Sequence, residues 1–259
     1  MNFFLIKEYI LYYHLKTDEH SLQSSFFYQF YLEYIKRKSS SNQWDIIENS
    51  RKRLLNDHSK IEIFDLGAGS KVNNSHRRKI KSVARYSLSS PKFSQLLSLL
   101  VKGFKCKQVI ELGTSLGINT AYLATAKTDC QITTFEADPA ALKIAKEINA
   151  NRKNIHFQKG DIAYLLPEYL HKSNPKIDLV YADANHTYAA SIEYFNIILP
   201  YITKNSIYVM DDIHWSSGMK KAWEELKKRD EVSSSIDLFD AGLLFFNPDF
   251  KKQHYILEF

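Results

Sequence analysis

A chain of 259 residues with 44% hydrophobic content has enough apolar material for a real core, as one large α/β domain or a domain with an appendage. Its two cysteines, Cys106 and Cys130, show neither metal nor disulfide spacing, Lys7 and Glu8 interrupt the apolar start, and no run reaches the ~20 residues of a membrane span. A cytoplasmic protein is therefore expected. The net charge of +6 comes from dispersed lysines and arginines with no stripe of interleaved stacking aromatics, so a solvated surface is expected and not a nucleic-acid groove.

Residues 1–38 are dense in aromatics. Ile6, Tyr9, Ile10 and Tyr13 recur at helical spacing, as do Phe27, Phe30, Tyr31 and Tyr34, which predicts two amphipathic helices that bury those faces. The main domain or a second subunit would cover them, giving a homodimer in the second case; a substrate lid is the alternative. Lys36 to Asn42 reads as a polar connector and Trp44 to Asn56 as a helix. Ile61 to Ser70 imitates a nucleotide turn, with an apolar strand, Asp65, Gly67 and Gly69, but the polar run after it has no helical face, so it reads as a strand and structured loop.

Ser89-Ser90-Pro91 opens a helix that Gly103 closes. The stretch that organises the rest follows. In Gln108 to Ala124 an apolar strand ends in Glu111, passes Gly113 and Gly117, and runs at once into a helix, so the backbone can turn sharply and offer free N–H groups to a ligand. Strand and helix then alternate. Strands are predicted at 131–136, 155–158, 177–183 and 206–210, helices near 139–150, 187–197 and 217–229, and short strands at 236–238, 242–246 and 255–259. That pattern predicts a doubly wound, mainly parallel, seven-stranded sheet with helices on both faces, whose ligands bind beyond the carboxyl ends of the strands.

Acids recur at those ends: Glu111, Glu136, Asp161, Asp183, Asp211 and Asp212. A nicotinamide fingerprint needs three glycines, whereas Ser115 replaces the middle one and Glu111 would repel a pyrophosphate. No Tyr-x-x-x-Lys follows the fourth or fifth strand, which disfavours a reductase further. Glu136 lies 19 residues past Gly117, where an acid accepts hydrogen bonds from ribose hydroxyls. A nucleoside with positive charge and no phosphate fits best, and S-adenosylmethionine is that ligand.

At these residues the chain resembles the class I S-adenosylmethionine-dependent methyltransferases, over about residues 85–250. The resemblance implies a Rossmann-like methyltransferase fold at 85–259 behind a helical N-terminal extension or cap at 1–84. It implies that Glu111, Gly113, Thr114, Ser115 and Gly117 contact the methionine part, that Glu136 and Ala137 lie at the ribose, and that Asp161 lies near the adenine amino group. Tyr181-Ala182-Asp183-Ala184-Asn185-His186-Thr187-Tyr188 is similar to a stretch of bacterial small-molecule O-methyltransferases, which adds Asp183 to the cofactor set. The Asn/Asp-Pro-Pro-Tyr/Phe of base-modifying enzymes is absent.

Asp183, Asp211 and Asp212 also resemble the divalent-metal site of catechol-type and macrolide-type O-methyltransferases, for Mg²⁺ or Ca²⁺, although Asp212 stands where that pattern has Asn. His186 and His214 follow the fourth and fifth strands, and either could take a proton from a hydroxyl. With Asp183 they form the expected catalytic set. Trp215, Met219 and Trp223 recur at helical spacing and read as core. The expected function is O-methylation of a small hydroxylated molecule, against the alternative of a non-catalytic binding or assembly module that keeps the fold.

Overall fold

Serine, threonine and aspartate start several of the helices. Ser90, Asp138, Asp161, Thr187 and Ser216 each accept a backbone N–H from the first turn with the side chain, satisfying donors that a helix cannot satisfy itself. In the computed structural model, which describes residues 3–37, 42–63 and 77–259, the elements run in this order. The N-terminal part holds α1 (Phe3–Leu15), α2 (Ser25–Phe30) continued by one π turn, α3 (Asp45–Asn56), the antiparallel pair β1 (Lys60–Glu62) and β2 (Arg77–Lys79), and α4 (Ile80–Ser87). Next come α5 (Pro91–Gly103), β3 (Gln108–Leu112), α6 (Ile118–Ala126), β4 (Gln131–Glu136), α7 (Pro139–Ile148), β5 (Ile155–Lys159) and α8 (Ile162–Ser173). The chain ends with β6 (Ile177–Ala182), α9 (Tyr188–Ile198), β7 (Ile202–Asp211), α10 (Ser217–Leu226), β8 (Ser234–Asp237), β9 (Ala241–Phe245) and β10 (Gln253–Ile256). Among the described residues no helix is long and apolar enough to cross a membrane.

Two compact units form, residues 39–175 and residues 1–38 with 176–259. In the first, β3, β4 and β5 pair in parallel, with Glu111 beside Thr134 and Glu136 beside Lys159. Leu97 and Leu100 of α5, Phe135 of β4 and Leu166 of α8 are all fully buried in its core. In the second, β6 pairs in parallel with β7 and β10 with β8, while β9 runs antiparallel to both β7 and β8. Trp223 of α10 lies flat over Gly242, where a Cβ would come within 2.5 Å of the ring.

Among the described residues there are eight strands outside the β1–β2 pair, one more than expected. Most of the glycine-turn imitation near Gly67 and Gly69 lies in 64–76, outside the described residues. The predicted face of α2 holds: Phe27 and Phe30 are buried and meet Phe245 at ring distances of 5.2 and 5.4 Å.

The apolar face expected of α1 is not covered within this chain. Ile6, Tyr9, Ile10 and Tyr13 are exposed, and the side turned inward carries Glu8 and Tyr12. Polar partners decide this. The Tyr12 hydroxyl donates to the Leu257 carbonyl at 2.6 Å, and Glu8 pairs with Lys220 and His214, bonds that a buried apolar face could not supply.

Candidate functional site

In the 39–175 unit the β3–α6 connection turns through three left-handed residues within five, Gly113 at φ +95°, Ser115 at +48° and Gly117 at +78°. The Gly113 and Thr114 amides both donate to the Phe135 carbonyl at 3.1 Å, which fastens the turn to the end of β4. Ser115 N–H donates to Glu136 at 2.7 Å, and the Asp138 N–H donates to its other oxygen at 2.8 Å. Burial raises the Glu136 carboxyl above its usual range, against the pull of those amides. Ala137 is half-buried between Glu136 and the α7 cap. Asp161 is exposed and caps α8 through the Ala163 amide at 2.9 Å.

α6 differs from its neighbours in beginning at Gly117 without a side-chain cap. A helix N-terminus without a side-chain cap, at the positive end of the helix dipole, favours an anionic ligand group. Gly117 itself is demanded by packing: a Cβ there would lie 2.7 Å from that of Ala145 and 2.8 Å from the Asn149 amide.

Glu111 is fully buried. One oxygen accepts from Thr120 and Thr134 at 2.6 Å each, and Thr114 in turn donates to Thr134 at 2.6 Å, so the turn and the carboxyl share one hydrogen-bonded chain. The other oxygen has no partner among the described residues. Burial pushes this carboxyl up to about 7, against the two threonine hydroxyls.

In the other unit the ends of β6 and β7 are tied by a tyrosine. The Tyr181 hydroxyl lies 2.6 Å from Asp211 and 2.9 Å from Asp183, two residues along the same strand and so on the same face. Its single proton serves one carboxylate at a time. Burial, with Asp212 beside it, pushes Asp211 up to about 7; burial, with Asp240 nearby, pushes Asp212 up to about 6.

His186 lies between Asp183, 3.4 Å from Nε2, and Asp212, 3.7 Å from Nδ1. Burial lowers its pKa, with Asp211 opposing, so its ring is neutral at pH 7. His214 is placed otherwise: Nδ1 meets Glu8 at 3.1 Å, Nε2 meets Asp237 at 2.8 Å, and the ring stacks on Phe239. Burial works against its charge, but Asp237 and Glu8 raise its pKa. Both ring nitrogens are thus taken, and the proton-accepting role offered to both histidines is open only to His186.

The profile of a family described as a methyltransferase domain matches residues 110–213. No curated protein gave a sequence match. The fold is shared with solved methyltransferases of low identity. The O-methyltransferase from Bacillus cereus in complex with SAH is 15% identical with a TM-score of 0.55, covering 84% of this chain and 96% of its own. The O-methyltransferase TomG from Streptomyces achromogenes, involved in tomaymycin synthesis and solved with SAM, is 18% identical with a TM-score of 0.57, covering 84% and 94%. The SAH-bound methyltransferase PaMTH1 from Podospora anserina is 14% identical with a TM-score of 0.60, covering 87% and 97%. A Rossmann-like, mainly parallel α/β fold is therefore established.

In the 39–175 unit the uncapped helix N-terminus and the Glu136 carboxylate form a set that fits an amino-acid carboxylate and uncharged ribose hydroxyls. The expected metal triad does not fit a cation in the same way. Tyr181 places an O–H donor between Asp183 and Asp211, and His186 separates Asp183 from Asp212, so the three carboxylates share no centre. Among the described residues no group of three or more His, Cys, Asp or Glu side chains is placed to hold a metal ion. Sequence reasoning missed Tyr181, Thr120, Thr134 and Ser87, whose hydroxyl receives that of Ser115 at 3.1 Å. Only Tyr181 left a signal, its two-residue spacing from Asp183.

Proposed function

We propose that this protein is an S-adenosylmethionine-dependent O-methyltransferase of a small hydroxylated molecule, with 85–259 as the catalytic domain and 1–84 as its helical extension. The observation that carries the reading is the uncapped N-terminus of α6, entered through a turn whose amides also reach Glu136. The α6 amides would hold the methionine carboxylate, Glu136 the ribose hydroxyls, and Ala137 and Asp161 would lie toward the adenine. Bound S-adenosylmethionine supplies a methyl group on a positive sulfur, open to attack by oxygen. The neutral His186 ring, oriented by Asp183, takes the proton from the acceptor hydroxyl, and positioning does the rest. No step calls on a metal ion. The solved methyltransferases described with SAM and SAH support the choice of cofactor. Cys106 and Cys130, both free and buried, suit a cytoplasmic setting.

Methyl transfer to a panel of catechols, phenols and sugar alcohols tests the reading. His186→Ala is expected to cost about 100-fold in turnover, with S-adenosylhomocysteine affinity retained. Unchanged function in cells carrying His186→Ala and Asp183→Ala would favour the non-catalytic alternative.

We also propose that the exposed face of α1, where Tyr9, Ile10 and Tyr13 are each more than half exposed at 51%, 52% and 58%, receives a second copy of the chain. Sedimentation velocity at micromolar concentration should give a two-chain mass that Ile10→Glu halves. A one-chain mass for the unmodified protein would sink the idea.

A further inference from the structure

Arg51, on α3, is almost wholly buried at 4% exposure, and every nitrogen of its guanidinium is used. Nε meets Glu48 at 2.9 Å; Nη1 donates to the Ser89 carbonyl at 2.5 Å; Nη2 donates to the Ser94 hydroxyl at 2.9 Å. Ser94 passes its own proton to Asn119 at 2.7 Å, and the Asn119 amide donates to the Ser89 hydroxyl at 2.9 Å. Arg51, Ser94, Asn119 and Ser89 therefore form a closed ring of hydrogen bonds. Glu48, which balances the buried charge, also accepts from Tyr122 at 2.7 Å.

Two members of this set, Asn119 and Tyr122, lie on α6, and Asn119 is in its uncapped first turn. The segment that the ring pins, between α4 and α5, also carries Ser87, which receives the Ser115 hydroxyl. We infer that Arg51 is a positioning residue: it fixes the 87–90 segment and the first turn of α6 in the arrangement that holds the cofactor. The inference rests on the proposed cofactor reading for its ligand, but its geometry is independent of it. A planar five-donor fork is needed to address Glu48, Ser89 and Ser94 together, and a lysine cannot do so.

The test compares wild type, Arg51→Lys, Ser94→Ala and, as a control for general destabilisation, Leu170→Ala in the buried face of α8. Amide hydrogen exchange of the unliganded proteins is read over 113–121 and over 155–173, and S-adenosylhomocysteine affinity is measured by calorimetry. Arg51→Lys should speed exchange in 113–121 selectively and weaken binding about tenfold, with Ser94→Ala in the same direction and smaller. Leu170→Ala should show the reverse pattern, with faster exchange in 155–173 and affinity retained. Exchange in 113–121 that is unchanged by Arg51→Lys, or that rises only as it does in Leu170→Ala, overturns the proposal, as does unchanged affinity. A wild type that binds no S-adenosylhomocysteine defeats the cofactor reading, and the exchange comparison still decides the positioning role.

Discussion

Glu111→Gln is expected to make the unliganded protein more stable at pH 8 and a poorer binder of S-adenosylmethionine. Burial raises the folded carboxyl to about 7 from its ordinary 4.5, so the native state holds that proton more tightly than the unfolded chain does. Stability from this group is therefore greatest below pH 4.5 and is lost as pH rises through 7, a cost of about 3 kcal/mol once ionisation is complete. Glutamine keeps the two threonine bonds and removes the buried charge. At pH 8 the variant should melt roughly 3–8 °C higher, allowing for weaker neutral hydrogen bonds, and at pH 5 the gain should vanish.

Binding moves the other way. A cation near the carboxylate favours its ionised form, so wild-type affinity for S-adenosylmethionine should rise between pH 6 and pH 8. In Glu111→Gln that rise should flatten and affinity at pH 8 should fall at least about tenfold. Thermal melts and calorimetry across that range check both halves. A variant no more stable than wild type at pH 8 would show that Glu111 carries no buried charge.

Gly117→Ala should be strongly destabilising. A residue with a Cβ is strained at φ +78°, and that Cβ would meet the Ala145 backbone at 2.8 Å, where only a shift of α7 makes room. Such a shift pulls the Asn149 amide from the Gly117 carbonyl, which it now reaches at 2.9 Å. The combined cost is about 3 kcal/mol, a fall of roughly 6–12 °C in the melting midpoint. Gly218→Ala, whose Cβ would find nothing nearer than 3.6 Å, should melt with the wild type. Equal midpoints for the two variants would mean that the glycine serves the ligand and not the packing.

The alternation of strand and helix was legible because local signals carry it: apolar runs ending in an acid, and a serine or aspartate at the next helix start. Glu136 was legible from spacing; of its two amide partners Asp138 is a near neighbour in sequence, while Ser115 lies 21 residues away. Partners far along the chain were not. Nothing near Glu8 announces that His214, 206 residues away, will draw it inward, so the side of α1 that packs within the chain was not legible and His214 was offered a free nitrogen that Glu8 and Asp237 occupy. The metal expectation failed to anticipate Tyr181 for a related reason. A tyrosine inside an apolar strand reads as core, and only the pairing of β6 with β7 brings its hydroxyl between two carboxylates.

The central claim, that this chain holds S-adenosylmethionine on the α6 turn, is tested most directly by titrating the whole chain with S-adenosylhomocysteine in a calorimeter. One site of micromolar affinity, lost in Glu136→Ala while the fold persists by circular dichroism, is the expected result. No heat of binding at high micromolar concentration, or binding indifferent to Glu136→Ala, would contradict it.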